Sequence, residues 1–368
     1  MATPPKDLVL VGGGHAHALV LRQWGRAPMP GVRLTVIDPN PAAPYTGMLP
    51  GHIAGHYARD AMMIDLIRLA RFAGARLILD RAVGLDLTGR RVLLAGQGAV
   101  GFDLASIDIG IGSGLPDVPG AGDHAVAAKP LGSYADRWAA FVARGLPRPR
   151  VVVIGGGTGG VELAMASAFR LRQAGCDPCM TVLEQAPSAL PGVGRGARAA
   201  LLSRMEALGV RLKTSVHVTG ILPDRVVLTE SEVASDFTLT VAGAQPQAWL
   251  SATGLITKNG FVTVGPTLQT SDPAVFAAGD CAHLSHAPRP KAGVFAVREA
   301  PFLVHNLRAA LSGAQMKKYF PQRDYLKLIS CGDRIAVADK AGLRLQGRLL
   351  WRWKDRIDRS FMAQFASL

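Results

Sequence analysis

The sequence predicts an α/β protein with two Rossmann-like, three-layer domains and a short C-terminal α+β region. Two observations carry this prediction. A strand, a glycine-rich loop, a helix, a second strand and an acidic residue follow one another at residues 6–38, and the same order returns at residues 151–184. A buried strand that ends in Gly-Asp follows at residues 275–280. The repeat predicts two dinucleotides in one chain, or one dinucleotide and the relic of a second site.

The first unit begins with an apolar strand at residues 6–11, followed by three successive glycines. His17 occupies the place of the third glycine of the G-x-G-x-x-G fingerprint. The second strand ends in Asp38, where a ribose hydroxyl would be held; a turn residue is the alternative interpretation. The residues expected at this nucleotide are Gly12, Gly13, Gly14, His15 and Asp38.

Residues 39–57 are rich in proline, glycine, tyrosine and histidine. A segment of this kind directly after a nucleotide-binding strand would lie over a flat ring, with Thr46 and Gly47 close to it. A structured connection without a functional role is the equal alternative. His52 and His56 are candidate acid–base groups, although nothing in the sequence places either one in a site.

The mid-chain unit is the clearest motif. A β-branched strand at residues 151–154 leads into Gly155, Gly157 and Gly160, and a helix-forming run follows. The first glycine permits the turn, the second lets the backbone approach a pyrophosphate, and the third lets the helix pack on the strand. With Thr158 in its first turn, the helix N-terminus then points at the phosphates.

Glu184 ends the next strand of this unit. A carboxylate there pairs with a ribose diol and repels a 2′-phosphate, which favours NADH over NADPH. Arg195 and Arg198 follow closely enough in sequence to weaken that preference. The last predicted strand of the domain leads to Gly243, which is expected beside the same nucleotide.

Gly279 and Asp280 follow a late apolar strand. An aspartate there is costly unless something bonds to it, and either a cofactor hydroxyl or the start of a helix would serve. The next helix begins at Ala292 and Gly293, and its dipole would stabilise negative charge on a reduced ring. Gly112, in the glycine-rich turn of residues 103–114, is also expected at the nucleotide.

The formal net charge is +14, and residues 314–368 carry twelve Lys or Arg against five Asp. Basic surfaces attract nucleic acid, anionic lipid or acidic proteins, but no basic-aromatic nucleic-acid motif is apparent, so nucleic acid is not expected. The sequence contains no run of about 18 apolar residues, so no membrane-spanning helix is predicted. The N-terminus lacks the pattern of a secretory leader, so a cytoplasmic location is expected, with contact at the inner face of the membrane as an option.

The last predicted helix, at residues 347–365, is amphipathic. Its apolar face is expected to contain Leu350, Trp353 or Lys354, Ile357 and Phe361, with arginines opposite. This pattern is typical of helices that bind a membrane surface or an acidic partner. Docking on the protein's own body is the equal alternative.

Two of the four cysteines, Cys176 and Cys179, are spaced C-x-x-C. This spacing is typical of a redox pair or half of a metal site. The pair lies between a predicted helix and strand, however, and no second pair completes a zinc set. No metal site is predicted.

Three features together resemble the two-dinucleotide flavoproteins of the pyridine nucleotide-disulfide oxidoreductase superfamily. They are the N-terminal loop, the mid-chain loop followed by Val-Glu-Leu-Ala, and the late Ala-Ala-Gly-Asp. Residues 44–51 and 353–359 are most similar to the branch associated with selenide, water dikinase. That branch is similar in turn to type II NADH dehydrogenases and sulfide:quinone reductases.

The resemblance implies FAD at the first loop and NADH at the second, in a second domain inserted into the first. Asp280 would then bind the ribityl chain, Thr46 and Gly47 would lie near the isoalloxazine, and Glu162 would reach the junction of nicotinamide and flavin. The expected boundaries are 1–125 and 262–313 for the FAD domain, 126–261 for the NAD(P)H domain and 314–368 for the C-terminal region.

Two departures from the family narrow the activity. Residues 12–60 contain no cysteine, so the redox disulfide of the glutathione- and lipoamide-type enzymes is missing. Residues 294–296 read Val-Phe-Ala where type II dehydrogenases carry a Gln-x-Ala quinone motif. The hypothesis is an FAD-dependent NADH oxidoreductase with a small-molecule or quinone-like acceptor, and a homodimer is left open. The alternative is a flavin-bearing sensor or docking protein with little turnover.

Overall fold

Two parallel β-sheets, each built around one of the glycine loops, form the core of the protein. The computed structural model describes residues 4–241, 243–340 and 342–368. Apolar residues fill the central strand of the first sheet, as expected for a parallel sheet covered on both faces. The strands of this sheet lie in the order Val275–Ala277, Leu104–Ile107, Lys6–Val11, Val32–Asp38 and Arg76–Leu79.

The second sheet is formed by the chain between residues 125 and 240 and is also parallel throughout. Its strands lie in the order Ala125–Ala127, Phe237–Thr240, Arg150–Ile154, Cys179–Leu183 and Val210–Lys213. The chain leaves the first sheet after residue 107 and returns to it at residue 275. The second domain is therefore inserted into the first, which confirms the predicted fold class.

Helices cover these sheets and connect their strands. The α-helices are α1 His15–Arg26, α2 Leu49–Ile53, α3 Leu66–Phe72, α4 Ala121–His124, α5 Leu131–Ala143, α6 Thr158–Gln173, α7 Arg195–Ala207, α8 Gly293–Ser312 and α9 Arg348–Ala366. Short 3₁₀ turns occur at Thr46–Met48, Asp60–Met62, Ala248–Ala252 and Gly279–Cys281.

Smaller sheets complete the domains and the C-terminal region. Two of them are the three-stranded antiparallel sheets Ala82–Asp86, Arg91–Leu94, Ala99–Gly101 and Val218–Leu222, Arg225–Leu228, Glu232–Ala234. A mixed sheet joins Thr257–Lys258, Phe261–Val264 and Ala282–Leu284. Two-stranded pairs join Ala42–Pro44 to Met63–Asp65 and Gly112–Ser113 to Ala244–Gln245. The C-terminal sheet is Lys327–Ser330, Ala336–Asp339 and Leu345–Gly347.

Local contacts fix where two of these elements begin and end. Helix α3 begins at Leu66, because the preceding residues pair with Ala42–Pro44 and the Asp65 side chain caps the helix by accepting a hydrogen bond from the Arg68 N–H at 2.9 Å. Between the strands Val210–Lys213 and Val218–Leu222, Ser215 adopts a left-handed conformation (φ +56°).

The buried face of α9 differs from the prediction. Asp358 and Phe361 are buried, whereas Leu349, Trp353 and Ile357 are 76%, 48% and 44% exposed. The polar side chains of Lys354 and Asp358 can face the protein interior because they bond to each other and to residues of the first domain. A hydrophobic pattern alone does not predict this orientation of the helix. The helix docks on its own protein, and an apolar stripe stays on its outer side.

Candidate functional site

The first glycine loop is held against the acid that ends the second strand. The Gly13 N–H donates to Asp38 Oδ2 at 2.7 Å, and the Asn40 N–H donates to Oδ1 at 2.8 Å. Burial raises the pKa of Asp38. The carboxylate predicted to hold a ribose is thus fixed directly beside the loop.

The second loop repeats this arrangement. The Gly156 N–H donates to Glu184 Oε2 at 2.7 Å, and the Ala186 N–H donates to Oε1 at 2.8 Å. A side chain at Gly160 would overlap the carbonyl oxygen of Gly155, so only glycine fits there. A Cβ at Gly157 would meet nothing within 4 Å, which leaves open space in front of the N-terminus of α6. A pyrophosphate fits that space.

His17 accounts for the imperfect fingerprint of the first loop. Its buried ring donates from Nδ1 to the Gly12 carbonyl at 2.7 Å, so Nε2 accepts from the Ser106 hydroxyl at 2.8 Å. Burial lowers the pKa of His17 to about 4, so the ring is neutral. The His17 side chain therefore packs between helix and strand in the first unit, at the position where Gly160 lets helix and strand pack directly in the second.

Asp108 was missed from the sequence, yet it lies at the centre of the first site. It directly follows the buried strand Leu104–Ile107 and is 3% exposed. A side chain at either Gly14 or Gly279 would overlap its carboxyl group. Burial raises the pKa of Asp108 to about 7. The signal was available, because an acid after an apolar strand is the pattern that identified Asp38.

The Gly-Asp turn joins the two domains. Asp280 pairs at 3.1 Å with Lys129, which lies in the second domain between the strand Ala125–Ala127 and α5. The Gly279 N–H donates to Glu299 Oε2 on α8 at 2.6 Å, and burial raises the pKa of Glu299 to about 7. Neither Lys129 nor Glu299 was predicted.

The N-terminus of α8 faces the first loop. A Cβ at Gly293 would lie 3.3 Å from His15 Nδ1 and 3.5 Å from Thr46 Oγ1. Ala292 is the N-cap residue and has no side-chain cap. The structure thus brings together Gly293 and Thr46, which were predicted beside a flat ring, and His15, which was predicted at the first nucleotide.

The C-terminal helix reaches the same place. Lys354 Nζ donates to the Gly47 carbonyl at 2.7 Å and to Asp358 Oδ2 at 2.6 Å. The Tyr45 hydroxyl donates to Asp358 Oδ1 at 3.1 Å. The side chains of this ion pair are only 15% and 5% exposed. Residues of α9 therefore hold the turn that was predicted to lie near the flavin ring.

Glu162 lies between the second loop and the C-terminal region. Its Oε1 accepts a hydrogen bond from the Ser330 N–H at 2.6 Å. Burial raises the pKa of Glu162 to about 7, and the charge of Lys354 opposes that rise. Glu162 therefore links α6 of the second domain to the C-terminal sheet.

The two remaining predicted glycines lie where the domains connect. Gly112 belongs to the short strand that pairs with Ala244–Gln245, and the Gly114 N–H donates to the Gly243 carbonyl at 3.2 Å.

The candidate histidines and cysteines are not gathered in this site. His52 and His56 bond to the carbonyls of Tyr57 and Gly332 at 2.9 and 2.6 Å. The C-x-x-C pair is partly exposed at the end of the second sheet, and both of its thiols are free.

Two glycine loops with matching carboxylates, joined through a Gly-Asp turn, define a two-dinucleotide oxidoreductase. A family model described as pyridine nucleotide-disulphide oxidoreductase matches residues 6–300. The chain belongs to this family, whose members are FAD- and NAD(H)-dependent oxidoreductases.

Curated relatives include a probable ferredoxin reductase of Castellaniella defragrans, 27% identical over 328 residues that cover 86% of this chain and 76% of the relative. A rubredoxin-NAD(+) reductase of Pseudomonas putida is 33% identical over 139 residues, 36% of this chain and 34% of that one. This second match spans about a third of the relative's length.

Solved structures share the fold over nearly the whole chain. The sulfide:quinone oxidoreductase of Aquifex aeolicus superposes with a TM-score of 0.80 at 18% identity, covering 98% of this chain and 92% of its own. The NDH2 of Plasmodium falciparum, in complex with NADH, superposes with a TM-score of 0.80 at 12% identity, covering 98% of both chains. Among the residues described here, no helix is long and apolar enough to cross a bilayer.

Proposed function

We propose that this chain is an NADH-dependent flavoprotein reductase that passes electrons to a separate acceptor. One observation carries the proposal: the two loops hold their carboxylates in the same arrangement. Lys354, which bonds to the Gly47 carbonyl, also acts through its charge on Glu162 of the second domain. The relatives named for ferredoxin and rubredoxin support an electron-carrier protein as the acceptor.

The first site fits FAD. A ribose diol fits beside Asp38, which the loop holds in place. Asp280, partly exposed in the Gly-Asp turn, is positioned for a ribityl hydroxyl. The uncapped N-terminus of α8 faces His15 and Thr46, where a ring would lie.

The second site fits NADH, with Gly155, Gly157, Thr158 and Gly160 around the pyrophosphate and Glu184 at the ribose. Bound FAD would supply the ring that accepts a hydride from the nicotinamide. The protein would hold the two nucleotides in register, and the positive end of α8 would stabilise negative charge on the ring.

Purified protein tests this proposal through its steady-state rates. NADH should support reduction of menadione, a small neutral quinone, and of rubredoxin, with FAD released when the protein is denatured. Absence of bound flavin, or no NADH oxidation with either acceptor, would contradict it.

Glu184 is expected to set the preference for NADH. Glu184→Gln keeps an oxygen acceptor for Gly156 but removes the charge that repels a 2′-phosphate, so the ratio of kcat/KM for NADH to that for NADPH should fall roughly tenfold. Asp38→Asn makes the same change in the first loop and should leave the ratio unaltered. Equal effects of both variants would argue against Glu184 as the selector.

The outer side of α9 is the proposed docking surface for the acceptor. Its apolar stripe, Leu349, Trp353 and Ile357, is flanked by exposed arginines, among them Arg352 and Arg356. A basic surface with an aromatic centre suits an acidic carrier protein. The opposite side of the same helix contacts the turn at Gly47, so a docked carrier would lie close to the proposed ring.

Charge reversal on this surface should separate docking from catalysis. Arg352→Glu combined with Arg356→Glu is expected to slow rubredoxin reduction about tenfold at low salt, through lost steering, while menadione reduction is unchanged. If both rates fall together, or neither does, carriers do not dock there. Binding of wild-type protein to anionic vesicles, without rubredoxin reduction, would assign this surface to a membrane instead.

A further inference from the structure

Asp108 accepts two of the hydrogen bonds that the backbone donates at the start of α1. Its carboxyl oxygen Oδ2 accepts from the His17 N–H at 2.9 Å. The Gly14 N–H donates to the carbonyl oxygen of the same residue at 3.2 Å. Of the four N–H groups from residue 14 to residue 17, two therefore bond to Asp108.

The second loop provides an internal comparison. At the corresponding positions, Gly157, Thr158, Gly159 and Gly160, the backbone N–H groups have no hydrogen-bond partner within the part of the chain that is described. Free N–H groups at a helix start are the donors that bind a pyrophosphate. The N–H groups at the start of α6 are therefore free to bind a ligand, whereas two of those at the start of α1 already bond to Asp108.

Negative charge crowds the surroundings of Asp108, which has no cationic partner among its described contacts. A carboxylate beside a doubly charged pyrophosphate would repel it. Burial already raises the pKa of Asp108 to about 7, against the bond from His17. The titratable and charged groups that face this cluster are Asp38, Asp280, Glu299, Cys281, His15 and His17, with Lys129 and Lys291 at its edge.

We propose that Asp108 binds FAD as a neutral carboxylic acid, accepting the N–H bond of His17 and donating its own proton to a phosphoryl oxygen of the pyrophosphate. A carboxylate only accepts hydrogen bonds, whereas the acid form has one O–H to donate. Buried acids kept neutral in this way serve as donors elsewhere in enzymes. The inference rests on FAD occupying the first site.

The affinity for FAD should then depend on pH in a defined direction. Only protein with protonated Asp108 binds FAD in this proposal. Below the pKa of Asp108 that form predominates, so the dissociation constant for FAD should not vary with pH there. Above about pH 7 it should rise by about tenfold for each pH unit, because one proton must be taken up for each FAD bound.

The experiment measures free FAD by its fluorescence after dilution of the holoprotein between pH 6 and pH 8.5. Asp108→Asn, which is neutral and keeps an N–H donor, should abolish the pH dependence. Glu299→Gln is the matched control, because it neutralises the other buried acid of the cluster, and its dissociation constant should still rise with pH.

A wild-type dissociation constant that does not vary with pH would overturn the role of Asp108, as would an Asp108→Asn protein that keeps the full dependence. Loss of the dependence in Glu299→Gln alone would assign the proton to Glu299 instead. These outcomes leave the proposed function intact, since FAD is still bound. Protein that binds no FAD at any pH would overturn both.

Discussion

Gly160→Ala is expected to lower the rate of flavin reduction by NADH at least about a hundredfold. The new Cβ would overlap the Gly155 carbonyl oxygen, which is backbone and cannot rotate away. The loop must therefore move relative to α6, and a displacement of about 1 Å costs about a hundredfold in a reaction that depends on alignment. Stopped-flow measurement of flavin bleaching at low NADH would give the rate.

Gly159→Ala is the matched control for this variant. A Cβ at Gly159 would lie 3.5 Å from Val241 Cγ1, an ordinary contact, so the loop and the fold should be preserved. FAD content should be normal in both variants, because the first site is untouched. If Gly160→Ala reduces its flavin as fast as wild type, the second loop is not the NADH site.

Lys354→Met is expected to destabilise the protein by about 3 kcal/mol, because Asp358 would lose its cation while it is 5% exposed. The Gly47 carbonyl would lose its donor as well, so the turn at Thr46 should loosen and flavin reduction should slow. Denaturant unfolding, followed by tyrosine and tryptophan fluorescence, measures the first effect.

The double variant Lys354→Met with Asp358→Asn separates charge from packing. With no charge left unpaired, it should recover most of the lost stability, and the cycle gives the coupling between the two side chains. Equal stability of wild type and Lys354→Met would show that the pair contributes nothing to stability.

The features predicted correctly from the sequence are those with local causes. Glycines at Gly155 and Gly160, directly between a β-branched strand and a helix, specify a turn that few other residues permit. The positions of Asp38 and Glu184 follow from the same units, because an acid after the second strand lies beside the loop. The insertion of one domain into the other was predicted only from the resemblance to a known family.

The missed features depend on contacts between distant parts of the chain. Lys129 meets Asp280 across 151 residues, and Lys354 meets Gly47 across 307. No periodicity predicts such pairs. The orientation of α9, with Asp358 on its buried side, was missed for the same reason. Burying Asp358 is favourable only when Lys354 and Tyr45 bond to it. Asp108 is different, since its position after an apolar strand was visible in the sequence.

The central claim is that electrons pass from NADH in the second site to FAD in the first. Anaerobic addition of NADH to the purified yellow protein tests it most directly. The visible flavin band is expected to bleach completely, with one NADH consumed for each FAD. A band that dithionite bleaches but NADH leaves unchanged would contradict it.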